Sequence, residues 1–327
     1  MFEIIKPGIN IDFMGKRNLW AGLSIFIIVG TFVLLATKGL NYGIDFTGGA
    51  EVQVKVPTTW DIGKVRNALS DGGLENFKVQ QIGLPSDSQF IVKAQGDAST
   101  LNQVSTKIEG ILKKTVTDGE TKIERVDVVG PAAGSSLRMS GILSMIYALI
   151  CILIYVAIRF DVRYAPGAVI ALFHDVVIVV GIFVLTQKQF DLTVLAAILA
   201  LIGYSNNDTI IVFDRVRETL HMNPNLNIVA AVNKSINETL GRTILTATAT
   251  FLVVFALWAF GGKALEDFAF ALMVGIVVGT YSSVFIASSL VVFMSQWQQK
   301  RLLNAKMGGA GKGKKTYAVR PDPKFSA

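Results

Sequence analysis

Two polar clusters stand in stretches otherwise apolar enough to be hydrocarbon-bound: His174-Asp175, and the run Gly203-Tyr204-Ser205-Asn206-Asn207-Asp208-Thr209. An ionisable side chain at membrane depth is costly and marks a path for ions or substrate, so Asp208 is the first residue to explain. On a helix, Tyr204 and Ser205 lie at i−4 and i−3 from Asp208 and are placed to donate hydrogen bonds to it. Arg242 opens the next apolar stretch, and its long stem can reach inward to the carboxylate or outward to headgroups. Burial opposes charge on a carboxylate and an approaching guanidinium favours it, so the inward geometry would couple protonation to helix movement. Asn207, beside Asp208, adds an amide ligand to the same candidate ion site.

His174 and Asp175 lie ten residues from the helix entry near Ala165, about 15 Å deep at the helical rise. Adjacent helical positions point about 100° apart, so the two are not expected to serve one narrow contact. One is expected to bond a neighbouring helix and the other to join an ion path.

Six apolar runs of spanning length must position these groups: Leu19–Thr37, Gly141–Ile158, Pro166–Thr186, Leu192–Phe213, Thr243–Phe260 and Phe268–Met294. The first is too long for a signal-peptide core and has no small-x-small site after it, so it is read as a retained anchor. With 51% hydrophobic and 17% charged residues the chain is too apolar for an ordinary soluble domain. Its mean hydropathy of +0.50 agrees.

Lys16, Arg17, Arg159, Arg163, Arg215, Arg217, Arg242, Lys300 and Arg301 flank one side of these runs, against Lys188 and Lys263 in the short loops opposite. By the positive-inside rule both termini are cytoplasmic. The expected organisation is an N-terminus over 1–18, a first span over 19–37, an outer domain over 38–136, a five-helix bundle over 137–298 with a cytoplasmic loop over 214–242, and a basic tail over 299–327. Within that loop Leu226–Leu240 carries an apolar stripe at helical spacing, which suits a helix lying along the membrane surface. The net charge of +7 collects in the flanks and in the tail Lys306–Lys324. It favours membrane orientation and lipid attraction over nucleic acid.

The outer segment reads β-α-β-β-α-β: strands over Glu51–Val56, Phe77–Ile82, Gln89–Ala94 and Lys122–Val129, with helices over Thr59–Ser70 and Leu101–Leu112. That order predicts a ferredoxin-like α+β unit. It holds no histidine, no nucleophile paired with a base and no phosphate loop, which points to binding or movement rather than catalysis. Asp45, Gly48 and Gly49 in Tyr42-Gly43-Ile44-Asp45-Phe46-Thr47-Gly48-Gly49 are either a site at the outer mouth or a turn whose aspartate satisfies local N–H groups. The single cysteine, Cys151, rules out an intrachain disulfide and a cysteine-based metal site, and no cofactor or metal is expected.

Together, Gly43-Ile44-Asp45-Phe46-Thr47-Gly48-Gly49, Val129-Gly130-Pro131, His174-Asp175, the polar run ending in Asp208-Thr209 and Phe213-Asp214-Arg215-Val216-Arg217-Glu218 resemble the SecD/SecF family of bacterial protein-export membrane subunits, on its SecF side. The resemblance extends over nearly the whole chain. It implies a six-helix membrane bundle similar to the RND transporters, with a periplasmic domain, in the bacterial inner membrane. It also implies a proton-motive-force-driven aid to preprotein export, with Asp208 and Arg242, in Gly241-Arg242-Thr243, as the coupling pair. The implied partners are a SecD-like subunit, the SecYEG channel, YajC, the preprotein and membrane lipid. Two other classes are weighed against it. An RND-type solute exporter usually duplicates the six-span unit, and an intramembrane aspartyl protease would pair Asp175 with Asp208 but usually sets one in Gly-x-Gly-Asp, not Ser-Asn-Asn-Asp.

Overall fold

Among the described residues, six helices of the computed structural model are long and apolar enough to cross a membrane: α1 (Arg17–Lys38), α5 (Pro131–Arg159), α6 (Ala165–Thr186), α7 (Leu192–Met222), α8 (Ile228–Phe260), and α9 (Lys263–Ser282) running on into α10 (Ser288–Gly309). The structure describes residues 10–75, 77–82, 88–94, 101–117, 119–160 and 164–309. Arg163 and the tail beyond 309 lie outside the described residues. Burial ranks the helices. The apolar windows of α6 and α7 are 61% and 56% buried, against 11% for α1 and α5, so the first pair forms the centre of the bundle. Phe26, Ile158 and Phe260 project from the periphery.

Three spans run further than their apolar stretches. α5 starts at Pro131, whose fixed φ and missing N–H suit the first helical turn, ten residues before the apolar run. α7 continues nine residues past Phe213, and α8 begins at Ile228, so most of the segment 214–242 is helical and the connection covers only 223–227. The surface helix expected over Leu226–Leu240 is thus the first half of α8. Gly241 is the only weak helix former at the join, and one glycine costs about 1 kcal/mol, too little to break a 33-residue helix held by packing. Its apolar stripe, Ile228, Val229, Val232 and Ile236, packs on Val212, Val216 and Leu220 of α7. Thr219 and Ser235 bond across the hairpin at 3.0 Å, and Arg215 bridges Glu218 and Glu238, each at 2.6 Å. Asn233 and Asn237 hold the N-terminal segment at Ile11 and Phe13, which puts the start of the chain at this end of the bundle.

The outer domain comprises a short helix α2 (Ile44–Thr47), β1 (Gly49–Lys55), α3 (Ile62–Asp71), β2 (Phe77–Ile82), β3 (Gln89–Ala94), α4 (Leu101–Thr115) and β4 (Lys122–Val129). Its antiparallel sheet has the order β2-β3-β1-β4, the ferredoxin-like arrangement. Alternation along the strands sends Val52, Val54, Val79, Phe90 and Val92 to one face, where Val65 and Leu69 of α3 and Ile108 and Leu112 of α4 cover them. The other face is polar, joined by Lys93–Glu51 at 3.2 Å and by Gln53 and Gln89 on Glu124. Lys78, on β2, donates to Asn41 at 2.7 Å beside α1. Burial, then the charge of Lys93, lowers the Lys78 ammonium from its ordinary value.

Candidate functional site

α7 carries two polar centres. The first is Asp208, 4% exposed. Thr243 of α8 donates to its Oδ1 at 3.2 Å, while Oδ2 has no hydrogen-bond partner. Within two residues, the Asn206 Oδ1 and Thr209 Oγ1 atoms are also buried and unpartnered. A buried polar atom left unpaired costs about 1–3 kcal/mol, so three in one helical turn set this stretch of α7 apart from the rest of the bundle. Asn207 is exposed, on the opposite side of α7. Arg242, next to Thr243, is also exposed, and among the described residues no ion pair joins it to Asp208. Tyr204 and Ser205 do not donate to Asp208; Ser205 turns instead to the second centre.

There, His174 Nδ1 meets Asp175 Oδ1 at 2.9 Å, and both residues are buried. The neighbours therefore share one contact, contrary to the expectation from helical geometry. The Cα–Cβ bonds diverge, but the imidazole is long enough to fold back onto the adjacent carboxylate. Asp175 Oδ2 accepts from Ser205 of α7 at 2.6 Å and from Ser282 of α9 at 2.8 Å. His174 Nε2 lies 3.1 Å from Ser24 Oγ of α1, which lies 2.9 Å from the Tyr281 hydroxyl of α9. Four helices thus meet on one histidine and one aspartate.

Close approach makes this possible. A Cβ on Gly279 would sit 3.0 Å from Ser205 Cβ and Oγ and 3.6 Å from Asp175 Oδ2. The small-residue pair Gly275 and Gly279 is what lets α9 lie on α7, Gly275 against Leu201. Gly279→Val is expected to cost about 1–3 kcal/mol by overpacking, seen as a lower midpoint when the detergent-solubilised chain is unfolded thermally.

At the opposite end of the bundle, Asp45 Oδ2 accepts the Leu192 N–H at 3.0 Å, and Asp191 Oδ1 accepts that of Val194 at 3.0 Å. Two carboxylates from distant segments thereby cap α7, satisfying orphan donors at its positive end. Gly48 and Gly49 have φ of +79° and +156°, and a Cβ on either would strike backbone: Pro131 at 2.8 Å for Gly48, the Ala94 carbonyl at 2.6 Å for Gly49. The aspartate and both glycines thus join outer domain, α5 and α7.

Lys188 also stands at this end, 2.6 Å from Asp267 and 3.3 Å from Glu266, with its ammonium over Phe270. Burial pulls the ammonium down, but the hydrogen bond and charge of Asp267, then those of Glu266, outweigh it and raise the group above the ordinary lysine value. A raised folded value means the stabilisation is complete below the ordinary lysine range and is lost only as pH climbs through the folded value. Lys188→Met should lower stability by about 1 kcal/mol at neutral pH and by less above the lysine range, measured by thermal unfolding at both.

A family model described as the C-terminal part of the protein export membrane protein SecD/SecF matches residues 107–297, and one described as the SecD/SecF GG motif matches residues 33–56. The chain belongs to the SecD/SecF protein-export membrane family. Among its relatives, the protein translocase subunit SecF of Calditerrivibrio nitroreducens is 44% identical over 91% of this chain and 98% of its own length. That of Pseudomonas aeruginosa is 40% identical over 89% of this chain and 93% of its own length. The crystal structure of SecDF from Thermus thermophilus superposes with a TM-score of 0.76 at 33% identity over 89% of this chain. This chain spans 39% of that SecDF chain, so the larger protein contains much that is not here. Within the SecD/SecF frame, the first model covers both polar centres and Arg242, and the second covers Asp45, Gly48 and Gly49.

Sequence reasoning missed Ser282 and Thr243 as partners of the buried acids, and Ser24 and Tyr281 as the hydroxyls that continue from His174. Hydroxyls scattered through apolar helices give no sign of which helix they face. Only the polarity of Ser24 in an apolar first span, at a buried position, was there to be noticed. Among the described residues no group of three or more His, Cys, Asp or Glu could hold a metal ion.

Proposed function

We propose that this chain works as the SecF-type subunit of the Sec machinery, using the proton motive force with a SecD-like partner to assist preprotein translocation across the bacterial inner membrane. The observation that carries the reading is Asp208: a buried carboxylate with one oxygen on Thr243, the other unpartnered, and two more orphaned polar atoms beside it. Such a group can take up and release an ion at a cost set by the position of α8. Arg242, one residue from Thr243, is the cation that a movement of α8 would bring to it, and Asn207 lies on the exposed side of α7. Each elementary charge crossing 100 mV is worth about 2.3 kcal/mol, so a few ions suffice to bias a domain movement.

In this reading both termini are cytoplasmic, the hairpin at 223–227 faces the cytoplasm, and the ferredoxin-like domain is periplasmic and engages the emerging preprotein. SecYEG and YajC are the further partners. No catalytic role is assigned. Asp175 has both oxygens committed to His174, Ser205 and Ser282, leaving neither to share a water with Asp208 as an aspartyl protease requires. The solute-exporter reading is not favoured, because the relatives described above are translocase subunits.

The test is preprotein export by the complex reconstituted with a SecD-like chain and the channel, under imposed proton or sodium gradients. Export that rises with either gradient supports the reading and names the ion. Export indifferent to both overturns it.

A further inference from the structure

We infer that His174 and Asp175 form a second proton-binding centre, distinct from Asp208, that holds one shared proton and exchanges it through a cleft between α1, α6 and α10.

Every contact in the chain is satisfied at once only when that proton is present. The Trp20 carbonyl can only accept, so the Tyr281 hydroxyl, 3.0 Å away, donates to it. Tyr281 has no second hydrogen, so Ser24 must donate to Tyr281 across 2.9 Å. Ser24 in turn has only one, so the 3.1 Å contact to His174 needs a hydrogen on Nε2. At the far end Ser205 and Ser282 both donate to Asp175 Oδ2. Between Nδ1 and Oδ1, 2.9 Å apart, there must then be one hydrogen. With none, two acceptors would face each other around a buried negative charge, and two would clash. The pair is therefore neutral overall, either imidazole with carboxylic acid or imidazolium with carboxylate.

Removing that proton reverses the chain. The imidazole keeps its remaining hydrogen on Nδ1, facing the carboxylate, and Nε2 becomes an acceptor. Ser24 turns its hydroxyl to Nε2, Tyr281 turns to Ser24, and the Trp20 carbonyl loses the bond from Tyr281 while keeping its helical one. The proton that leaves is the one on Nε2, the shared hydrogen stays at Nδ1 against the carboxylate, and every hydroxyl hydrogen stays on its own oxygen. The contact that is lost links α1 to α9 two residues before the π-helical turn Ser283–Ala287. Such turns recur at functional sites and are the part of a long helix whose register can change. Protonation of a buried pair thus makes or breaks one of the two hydrogen bonds that Tyr281 forms to α1.

A cleft of about 480 Å³ reaches the pair; its lining is mostly apolar, with Arg17, Asn18, Ser24, His174, Ser289 and Gln296 as its polar side chains. Ser289 Oγ is buried without a hydrogen-bond partner, so it offers a binding point to water along this path. The titratable or charged groups around the pair are Arg17 on α1, Tyr281 on α9 and, three residues beyond Ser205 on α7, Asp208. This centre deepens the ion-coupling reading but does not depend on export for its detection.

Infrared difference spectra of the full-length chain in lipid vesicles, recorded across a pH titration, test it. His174 imidazole and Asp175 carboxyl bands should change together in one single-proton transition, which Asp175→Asn abolishes. The transition should persist in Asp208→Asn, so that loss of export in that variant and loss of this centre are separable. Because Asp175→Asn also disturbs the carboxylate on which Ser205 and Ser282 converge, Tyr281→Phe is the gentler arm. It removes two hydrogen bonds from the protonated state, Ser24 to Tyr281 and Tyr281 to the Trp20 carbonyl, and only one from the other, so the midpoint should shift by about one pH unit, the worth of one buried hydrogen bond. A midpoint unmoved in Tyr281→Phe, or a transition that vanishes in Asp208→Asn, overturns the proposal.

Discussion

Asp208→Asn reduces ion-driven export to the level seen without a gradient, while the complex still assembles. Asparagine has nearly the shape of aspartate and retains a carbonyl oxygen to accept from Thr243, so the 3.2 Å contact to α8 survives. What it loses is the ability to change charge. If the coupled ion binds at Asp208, no gradient can then do work through this centre, whatever its size. Arg242→Ala should behave in the same direction, because it removes the cation that would compensate the carboxylate once α8 moves. Thr243→Val separates charge from contact: it removes the hydroxyl but not the carboxylate, and should weaken export stimulation without abolishing it. Export assays on the three variants, beside a measurement of co-purifying partner, distinguish loss of coupling from loss of assembly.

Gly48→Ala is expected to be the most damaging single-methyl change in the outer domain. At φ of +79° and ψ of 153° the backbone lies in a region that only glycine occupies comfortably, at a cost of about 1–3 kcal/mol for any other residue. The added Cβ would also meet Pro131 Cα and N at 2.8 Å, and these are backbone atoms of the first turn of α5 that have no rotamer to escape into. Gly134, one turn further along α5, leaves no slack, since its own Cβ would meet Gly48 N at 2.8 Å. The strain can be relieved only by lifting the outer domain from α5, which also pulls Asp45 from the Leu192 N–H. Faster proteolysis of the outer domain and a lower unfolding midpoint should result. Gly39→Ala is the control: its φ is also positive, at +70°, but nothing lies within 4 Å of its Cβ, so only the conformational cost remains.

The legible part of the sequence was whatever is periodic. Strand alternation and helical stripes gave the four strands and the ferredoxin-like order, because a half-buried sheet forces polarity to alternate at every residue. Membrane spans were found because hydrocarbon demands apolar side chains over a fixed length. Their ends were not, since a helix leaving the bilayer keeps its backbone bonds and merely changes its surface: α7 runs to Met222 and α8 starts at Ile228 without any break at the membrane boundary. At the buried acids, cost identified Asp175 and Asp208 but not their partners. Ser205 shares a helical face with Asp208 and was matched to it on that ground. It bonds Asp175 instead, because the glycines at 275 and 279 bring α9 against α7 and close the space around that carboxylate. Local spacing cannot anticipate a contact that depends on how four helices pack.

The central claim is that an ion passes by way of Asp208, and the flux itself is the most direct thing to measure. Vesicles holding the complex of this chain with a SecD-like partner, loaded with a pH-reporting dye and given a proton gradient, should acidify on the receiving side faster than empty vesicles. Asp208→Asn should return the rate to that of empty vesicles, and a sodium-reporting dye should decide the case if the proton signal is absent in the unaltered complex. Ion flux that is undiminished in Asp208→Asn, for both ions, would contradict the account.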